Sequence, residues 1–472
     1  MRTSIIPSHT LQESNFRIDA SYHSSDGMNV IRNFLRSVNN NTLIRLDKLG
    51  DVSNMFVGDW LKRIYVEDPE HGAPYISGDN ILKMDPLAGC KFLSFRHGEY
   101  IQQLSLKERM ILMSCSGTIG RLLYVNSSLA ETVGSPDLLR IQAKLDKILP
   151  GYLYAFLSSG LGTAYIQKGV YGAVIQHIEI PYMATIPIPR LDPAQEEEIH
   201  QLIEQAVELR VEATFRLKQA QDRFYRQVLE VDPSDIKWRC SNEHAFAIGT
   251  TRFNDVDHRL DGFHHVGFVS EAERYLGKTI EMGELVDPYQ PPMFKRPYTD
   301  EQGIPFLSGI DLYDYYPKPH MYISKKLPGI DSYKVAAGTI LVQRVGQRYG
   351  LFGRPTILPK HLDQSAVTEH LFRLYPKNVR DRGYIFIWLS TEIGRRLLLK
   401  GSFGTSMGVL ANDSFRKMPA PDCLPELRHS FEDDVLTICT LREQANDMED
   451  QAQVMLSTSL GMTNSPMRLI RA

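Results

Sequence analysis

Cysteine is scarce in this chain of 472 residues: Cys90, Cys115, Cys240, Cys423 and Cys439 are an odd number without a CxxC pair. That excludes a disulfide framework and offers no paired-cysteine zinc site. No apolar run approaches the length of a membrane span, and the opening residues MRTSIIPSHT hold no signal-peptide core. A reduced, cytoplasmic compartment and no membrane partner are expected. Excess positive charge is lacking as well, with 53 Lys and Arg against 56 Asp and Glu. Any nucleic-acid contact must therefore come from local basic surfaces. Catalytic motifs are also missing. SCSGTIGR is no phosphate-binding P-loop, GVYGAV is too short for a dinucleotide fingerprint, and no Asn-Pro-Pro-Tyr type sequence for amino-methylation of a base occurs. The chain is expected to do no chemistry and to hold no cofactor and no metal.

What the chain does have is two long amphipathic stretches. Between Asp192 and Glu230 apolar residues fall at Ile199, Leu202, Ala206, Leu209, Ala213, Leu217, Ala220, Phe224 and Val228. Steps of three and four put one apolar stripe on a long helix. Asp192 and Pro193 suit a helix start, and Glu196, Glu197 and Glu198 follow at the positive end of its dipole. At about 1.5 Å per residue the helix would run to roughly 55 Å. A second stretch, Pro425 to Leu456, repeats the spacing at Leu427, Phe431, Val435, Ile438, Leu441, Ala445, Met448, Ala452 and Met455. One apolar stripe needs a partner, and the other long helix is the obvious one.

The rest of the chain is an internal repeat. Arg17-Ile18-Asp19-Ala20 recurs as Arg259-Leu260-Asp261-Gly262, and Pro74-Tyr75-Ile76-Ser77-Gly78 as Pro305-Phe306-Leu307-Ser308-Gly309. Ile111-Leu112-Met113 leads to Gly117 as Ile340-Leu341-Val342 leads to Gly346. Gly151-Tyr152, Gly162, Gly172 and Ile186-Pro187-Ile188-Pro189 return 232 residues later as Gly383-Tyr384, Gly394, Gly404 and Met418-Pro419-Ala420-Pro421. The short apolar runs read as buried strands. GYLYAFLSS and GYIFIWLST read as short helices, each continuing toward a glycine that could end it. The expected fold is α+β: two duplicated α/β domains, 1–190 and 233–422, and two long antiparallel coiled-coil helices, 191–232 and 423–460, related by a pseudo-twofold, with a tail 461–472.

Two like modules on long helices suit a ligand with two sites at fixed spacing, and duplex DNA is the commonest such ligand. The order of Arg17-Ile18-Asp19-Ala20, Ser114-Cys115-Ser116-Gly117-Thr118-Ile119-Gly120-Arg121, Tyr171-Gly172-Ala173-Val174-Ile175-Gln176-His177-Ile178 and Ile186-Pro187-Ile188-Pro189 resembles the specificity (S) subunit of type I restriction-modification enzymes. The second module departs from that pattern, with Val345-Gly346-Gln347-Arg348-Tyr349-Gly350 in place of SGTIGR. The resemblance implies two target recognition domains, each reading half of a split DNA site. It also implies partner methyltransferase (modification) subunits, a pair of them, which dock on the helices and use S-adenosylmethionine. In that family a restriction or translocation subunit joins the assembly, and related subunits serve other methylation-linked phage-defence systems.

Candidate contacts to double-stranded DNA are the polar and basic residues of the glycine-bounded loops. These are Ser116, Thr118, Arg121, Lys168, Tyr171 and Gln176 in the first module. In the second they are Arg344, Gln347, Arg348, Arg354, Lys400, Ser402, Thr405 and Ser406. Arg and Gln can pair with purine edges, while Lys, Ser and Thr hold phosphates. Ile203, Val207, Val211, Phe215, Leu436 and Cys439 widen the helix stripes beyond a two-helix seam, so they are the candidates to face the methyltransferase subunits. Asp19 and Asp261 are expected to cap or pair with Arg17 or Arg259 rather than serve a metal or acid-base site with His264 and His265. Two other readings fit the same residues: an enzyme that itself cuts or modifies DNA, and a scaffold whose modules bind proteins.

Overall fold

In the computed structural model the described residues are 26–40, 44–60, 62–66, 69–116, 118–171, 177–238, 250, 252–253, 256, 259–348, 350–404 and 407–462. Arg17, Asp19, Gly172, Gln176, Cys240, Thr405, Ser406 and most of the tail lie outside them. The chain divides into two compact units, Met1–Val211 with Gln444–Ala472, and Glu212–Glu443. The division falls inside the long helices rather than at their ends.

In the first unit an antiparallel sheet has the order β2 (Ser53–Phe56), β9 (Leu138–Ala143), β6 (Ile111–Ser114), β7 (Leu122–Tyr124). Strands β6 and β7 are apolar without alternation because both their faces are covered. Ile111, Met113, Leu139 and Ile141 face the helices, whereas Leu112, Leu123 and Leu138 join Ile76, Ile81 and Leu106 on the other side. A second sheet has the order β3 (Tyr65–Val66), β5 (Lys91–Ser94), β4 (Gly72–Ile76), β8 (Val133–Gly134), with β4 and β8 parallel. A ribbon pairs β1 (Arg45–Lys48) with β10 (Pro187–Arg190), the Pro-x-Pro strand that leads into the first long helix.

The second unit repeats this plan. One sheet runs β12 (Val286–Tyr289), β21 (Leu371–Pro376), β17 (Ile340–Gln343), β19 (Pro355–Ile357). The other runs β13 (Tyr298–Thr299), β15 (Met321–Ile323), β14 (Ile304–Leu307), β20 (Ser365–Val367), β16 (Lys334–Val335), again with one parallel pair, β14 and β20. The ribbon is β11 (Thr279–Glu281) with β24 (Pro419–Pro421). A small three-stranded sheet, β18 (Val345–Gly346), β23 (Gly408–Leu410), β22 (Ser402–Phe403), completes the unit.

The expectation that the short apolar helices continue to a glycine that could end them is corrected. The helices end earlier, at Ser158 and Ser390, and second helices, Gly160–Lys168 and Glu392–Lys400, begin at once. Ser159 and Thr391 cap the second helices by accepting from the Gly162 and Gly394 amides, both at 3.0 Å. A Cβ at either glycine would lie 2.1 Å from a carbonyl oxygen, of Phe156 or of Trp388. The glycines therefore permit the first helix of each pair to touch the second. Tyr152 and Tyr384 then donate to the carbonyls of Pro189 and Pro421, locking each helical pair to its ribbon.

The two long helices span Pro193–Gln227 and Pro425–Ser459. Asp192 accepts from the Ala194 amide at 3.0 Å, while Glu196 turns inward to Arg190 at 2.8 Å. Within each unit their segments run antiparallel. Ala206, Ala213 and Ala220 on one and Ala445 and Ala452 on the other are buried at heptad spacing, which lets the backbones approach closely. Arg210 bonds Asn446 and Glu449 in the first unit, and Arg223 bonds Ser430 and Asp434 in the second. Among the described residues no helix is long and apolar enough to cross a membrane.

Candidate nucleic-acid interface

In the second unit β17 runs into the loop that carries four of that unit's expected contacts, Arg344, Gln347, Arg348 and Arg354. Arg344 is stitched in by its backbone: its amide donates to His370 O and its carbonyl accepts from the Leu410 amide, both at 2.9 Å. Gly353, at φ 75°, turns the loop back so that its amide reaches Gln343 O at 2.7 Å. The structure brings Arg348 and Ser402 together. Arg348 Nε donates to Ser402 Oγ (3.3 Å), its Nη2 to Gly404 O (2.8 Å), and its guanidinium lies 3.8 Å from the Phe263 ring centroid. Arg259 pairs with Asp261 through two 2.8 Å bonds and donates to Ser402 O at 2.6 Å. The expected Arg259–Asp261 pair is thus present, and it fixes the strand beneath Arg348.

The sequence-expected cations of this unit all have partners inside it. Arg344 Nε donates to Leu410 O (3.2 Å), Arg354 Nε to Gly350 O (3.2 Å), and Lys400 Nζ pairs with Glu273 at 2.5 Å. Burial pulls the guanidinium pKa values of Arg344 and Arg348 down. Gln347 is exposed at the loop tip. His264 Nδ1 and His265 Nε2 face the carbonyls of Lys400 and Arg259, at 3.0 and 2.7 Å. Among the described residues no group of three His, Cys, Asp or Glu is placed to hold a metal ion.

The equivalent place in the first unit is sparser. His177 bridges to both Ser116 and Tyr171 across the backbone. Tyr171 donates to Glu179 at 2.6 Å, and that bond raises the phenol pKa. Thr118 is exposed, with its carbonyl accepting from Ser114 Oγ at 2.6 Å. Arg121 is half-buried, and its side chain has no partner among the described residues. Lys168 ends its helix three residues before Tyr171.

Sequence reasoning missed a pair of buried arginines. Arg140 and Arg373 are both fully buried, and both donate to backbone carbonyls rather than to a carboxylate. Arg140 donates to the carbonyls of Gly134, Ser135 and Leu138; Arg373 donates to those of Val367, Thr368 and Leu371. Desolvation lowers both to about 10, so they stay charged at neutral pH. Each holds the loop whose next carbonyl, of Asp137 or His370, accepts from the Cys115 or Arg344 amide. The common Leu-x-Arg setting in LLRIQ and LFRLY was the available signal.

The helix residues expected to face a partner divide. Phe215 and Leu436 are exposed, at 51% and 47%. Val207, Val211 and Cys439 are half-buried, and burial raises the Cys439 thiol pKa. Ile203 is corrected: it is 1% exposed and belongs to the first unit's core, so it offers no surface to another chain.

No family model and no curated protein matches the sequence. Three solved structures align with most of it. The S subunit of the type I restriction-modification system from M. genitalium is 13% identical, covers 90% of this chain and 96% of its own, and has a TM-score of 0.38. The HsdS subunit from Thermoanaerobacter tengcongensis is 12% identical over 88% of this chain and 96% of its own, with a TM-score of 0.26. A chain from a study of complex assembly and conformational transition of the type I restriction-modification system is 14% identical over 88% of this chain and 97% of its own, also at 0.26.

Proposed function

We propose that the chain is a DNA sequence-recognition subunit: each unit reads one half of a bipartite duplex target, and partner methyltransferase subunits supply the chemistry. The observation that carries the reading is the duplication. Two units of one plan each present a polar loop at the end of the same central strand, after β6 and after β17, held by the same buried arginine. A repeated site with differing loop residues suits a target of two unlike halves. The order of the sequence motifs supports it, since it resembles that of type I specificity subunits. Exposed Phe215 and Leu436 are the helix positions available to the partners, which would hold S-adenosylmethionine.

The test is methylation sequencing of DNA from cells carrying the neighbouring methyltransferase with and without this chain. A split methylated motif that appears only with the chain is expected, and replacing the second unit should change one half of it. The same methylation in both cells would refute the reading.

A further inference from the structure

The loop cations of the second unit are held within the protein, but two other cations, at equivalent places in the two units, are not. Lys62 and Lys295, 233 residues apart, are exposed and have no ion-pair partner among the described residues. Each begins the same short motif, Lys62-Arg63-Ile64-Tyr65 and Lys295-Arg296-Pro297-Tyr298, which enters the edge strand of the second sheet, β3 or β13.

The surroundings are duplicated too. Arg63 lies over Tyr75 at 5.9 Å and Arg296 over Phe306 at 5.2 Å, each ring standing on the third strand in from that edge, β4 or β14. Tyr65 meets Tyr75 edge-on at 5.7 Å, and Tyr298 meets Phe306 edge-on at 6.4 Å. The arginines are committed inward, to Tyr75 OH at 3.1 Å and to Glu369 at 2.9 Å. They act as posts that fix the motif, and the lysines remain the outward charges. Two residues before each lysine stands a large apolar side chain in solvent, Trp60 at 78% and Met293 at 79% exposure.

We propose that this motif is a second duplex-DNA contact in each unit, with the lysine on a backbone phosphate and Trp60 or Met293 against the sugar or base edge beside it. The inference rests on the recognition reading above. Charge selects the occupant. Lysine is depleted in protein interfaces and commonly holds backbone phosphates, so an outward lysine without an ion-pair partner among the described residues, repeated at the same place in both units, favours a polyanion. Across Tyr289–Tyr298 there is no acidic residue, and across Phe56–Tyr65 only Asp59. The lysine, arginine and tyrosine are constant between the units while the apolar tip differs, as two sites would that hold the same backbone but abut different bases.

The experiment uses the full chain assembled with its methyltransferase and a labelled duplex bearing the motif found by methylation sequencing. The double variant Lys62→Ala/Lys295→Ala should lower the slope of log affinity against log salt by about 1 for each phosphate no longer neutralised. Iodide quenching of Trp60, read in a Trp238→Phe background because Trp238 is half-buried while Trp388 is fully buried, should fall when the duplex binds. An unchanged slope with Trp60 still quenchable in the bound complex overturns this inference and leaves the recognition reading standing. Loss of methyltransferase capture by the double variant, with its salt slope unchanged, assigns the motif to a protein and also overturns it. Failure of the wild-type assembly to bind duplex overturns both.

Discussion

Replacing Arg373 by Met keeps a long unbranched side chain and removes the guanidinium that binds the Val367–Leu371 loop. Three carbonyls lose donors at 2.7, 2.9 and 3.3 Å. Thr368 O keeps a second donor, the Leu371 amide at 3.3 Å, and so counts least. The other two bonds are charge-assisted, each contributing about 1.5–3 kcal/mol. Against that stands the relief of no longer burying a charge, on the order of 1–3 kcal/mol, which is smaller than usual because carbonyl dipoles already solvate it. The balance is a loss of roughly 3 kcal/mol, within the range expected for breaking a buried polar network. For a unit of this size that lowers the melting temperature by about 6–12 °C. The assay is chemical and thermal unfolding of the full chain, with hydrogen exchange at the Arg344 amide, which donates to His370 O in that loop, and at the Leu410 amide, which donates to Arg344 O. These amides should exchange faster in the variant. Stability within about 0.5 kcal/mol of wild type, with exchange unaltered, would show that the buried arginine is a passenger.

Arg348→Ala removes bonds to Ser402 and Gly404 and the stack on Phe263, so duplex affinity of the assembly should fall and site preference should shift in the second half-site; titration with matched and mismatched duplexes checks it. His200 Nδ1 accepts from the Gly151 amide at 3.1 Å, and desolvation lowers its pKa, with Glu204 opposing. The native state therefore binds fewer protons than the unfolded chain, so stability is complete above about pH 6.5 and falls as acid charges the unfolded histidine. His200→Gln, which retains an acceptor, should flatten the decline between about pH 7.5 and 5 in urea melts. Gly162→Ala sets a Cβ 2.1 Å from Phe156 O and should destabilise the first unit by about 2 kcal/mol or more, seen as an earlier unfolding transition.

The long helices were legible because their apolar spacing is sustained over many turns, and strands β6 and β17 because each is a run of three buried apolar residues. The duplication was legible wherever glycine or proline marked it. It was not legible at Lys62 and Lys295, because Phe56–Tyr65 and Tyr289–Tyr298 share little beyond the Lys-Arg-x-Tyr core. Nor could sequence show that Arg348 and Lys400 would be held internally, since their partners, Ser402, Gly404 and Glu273, are distant along the chain. Ile203 misled because its place in the stripe resembles that of Val207. Only tertiary packing buries one and leaves the other half open.

The first unit draws on two separate stretches, residues up to Val211 and residues from Gln444, while the second is one continuous stretch between them. During synthesis the later-numbered unit therefore has its whole set of residues before the earlier-numbered one does. Ile199 and Ile203 must wait for Ala452, Leu456 and Leu460, made some 250 residues afterward, before their core closes. The nascent first unit is left with an open apolar seam through that interval, the kind of transiently exposed surface that makes a folding intermediate prone to aggregate.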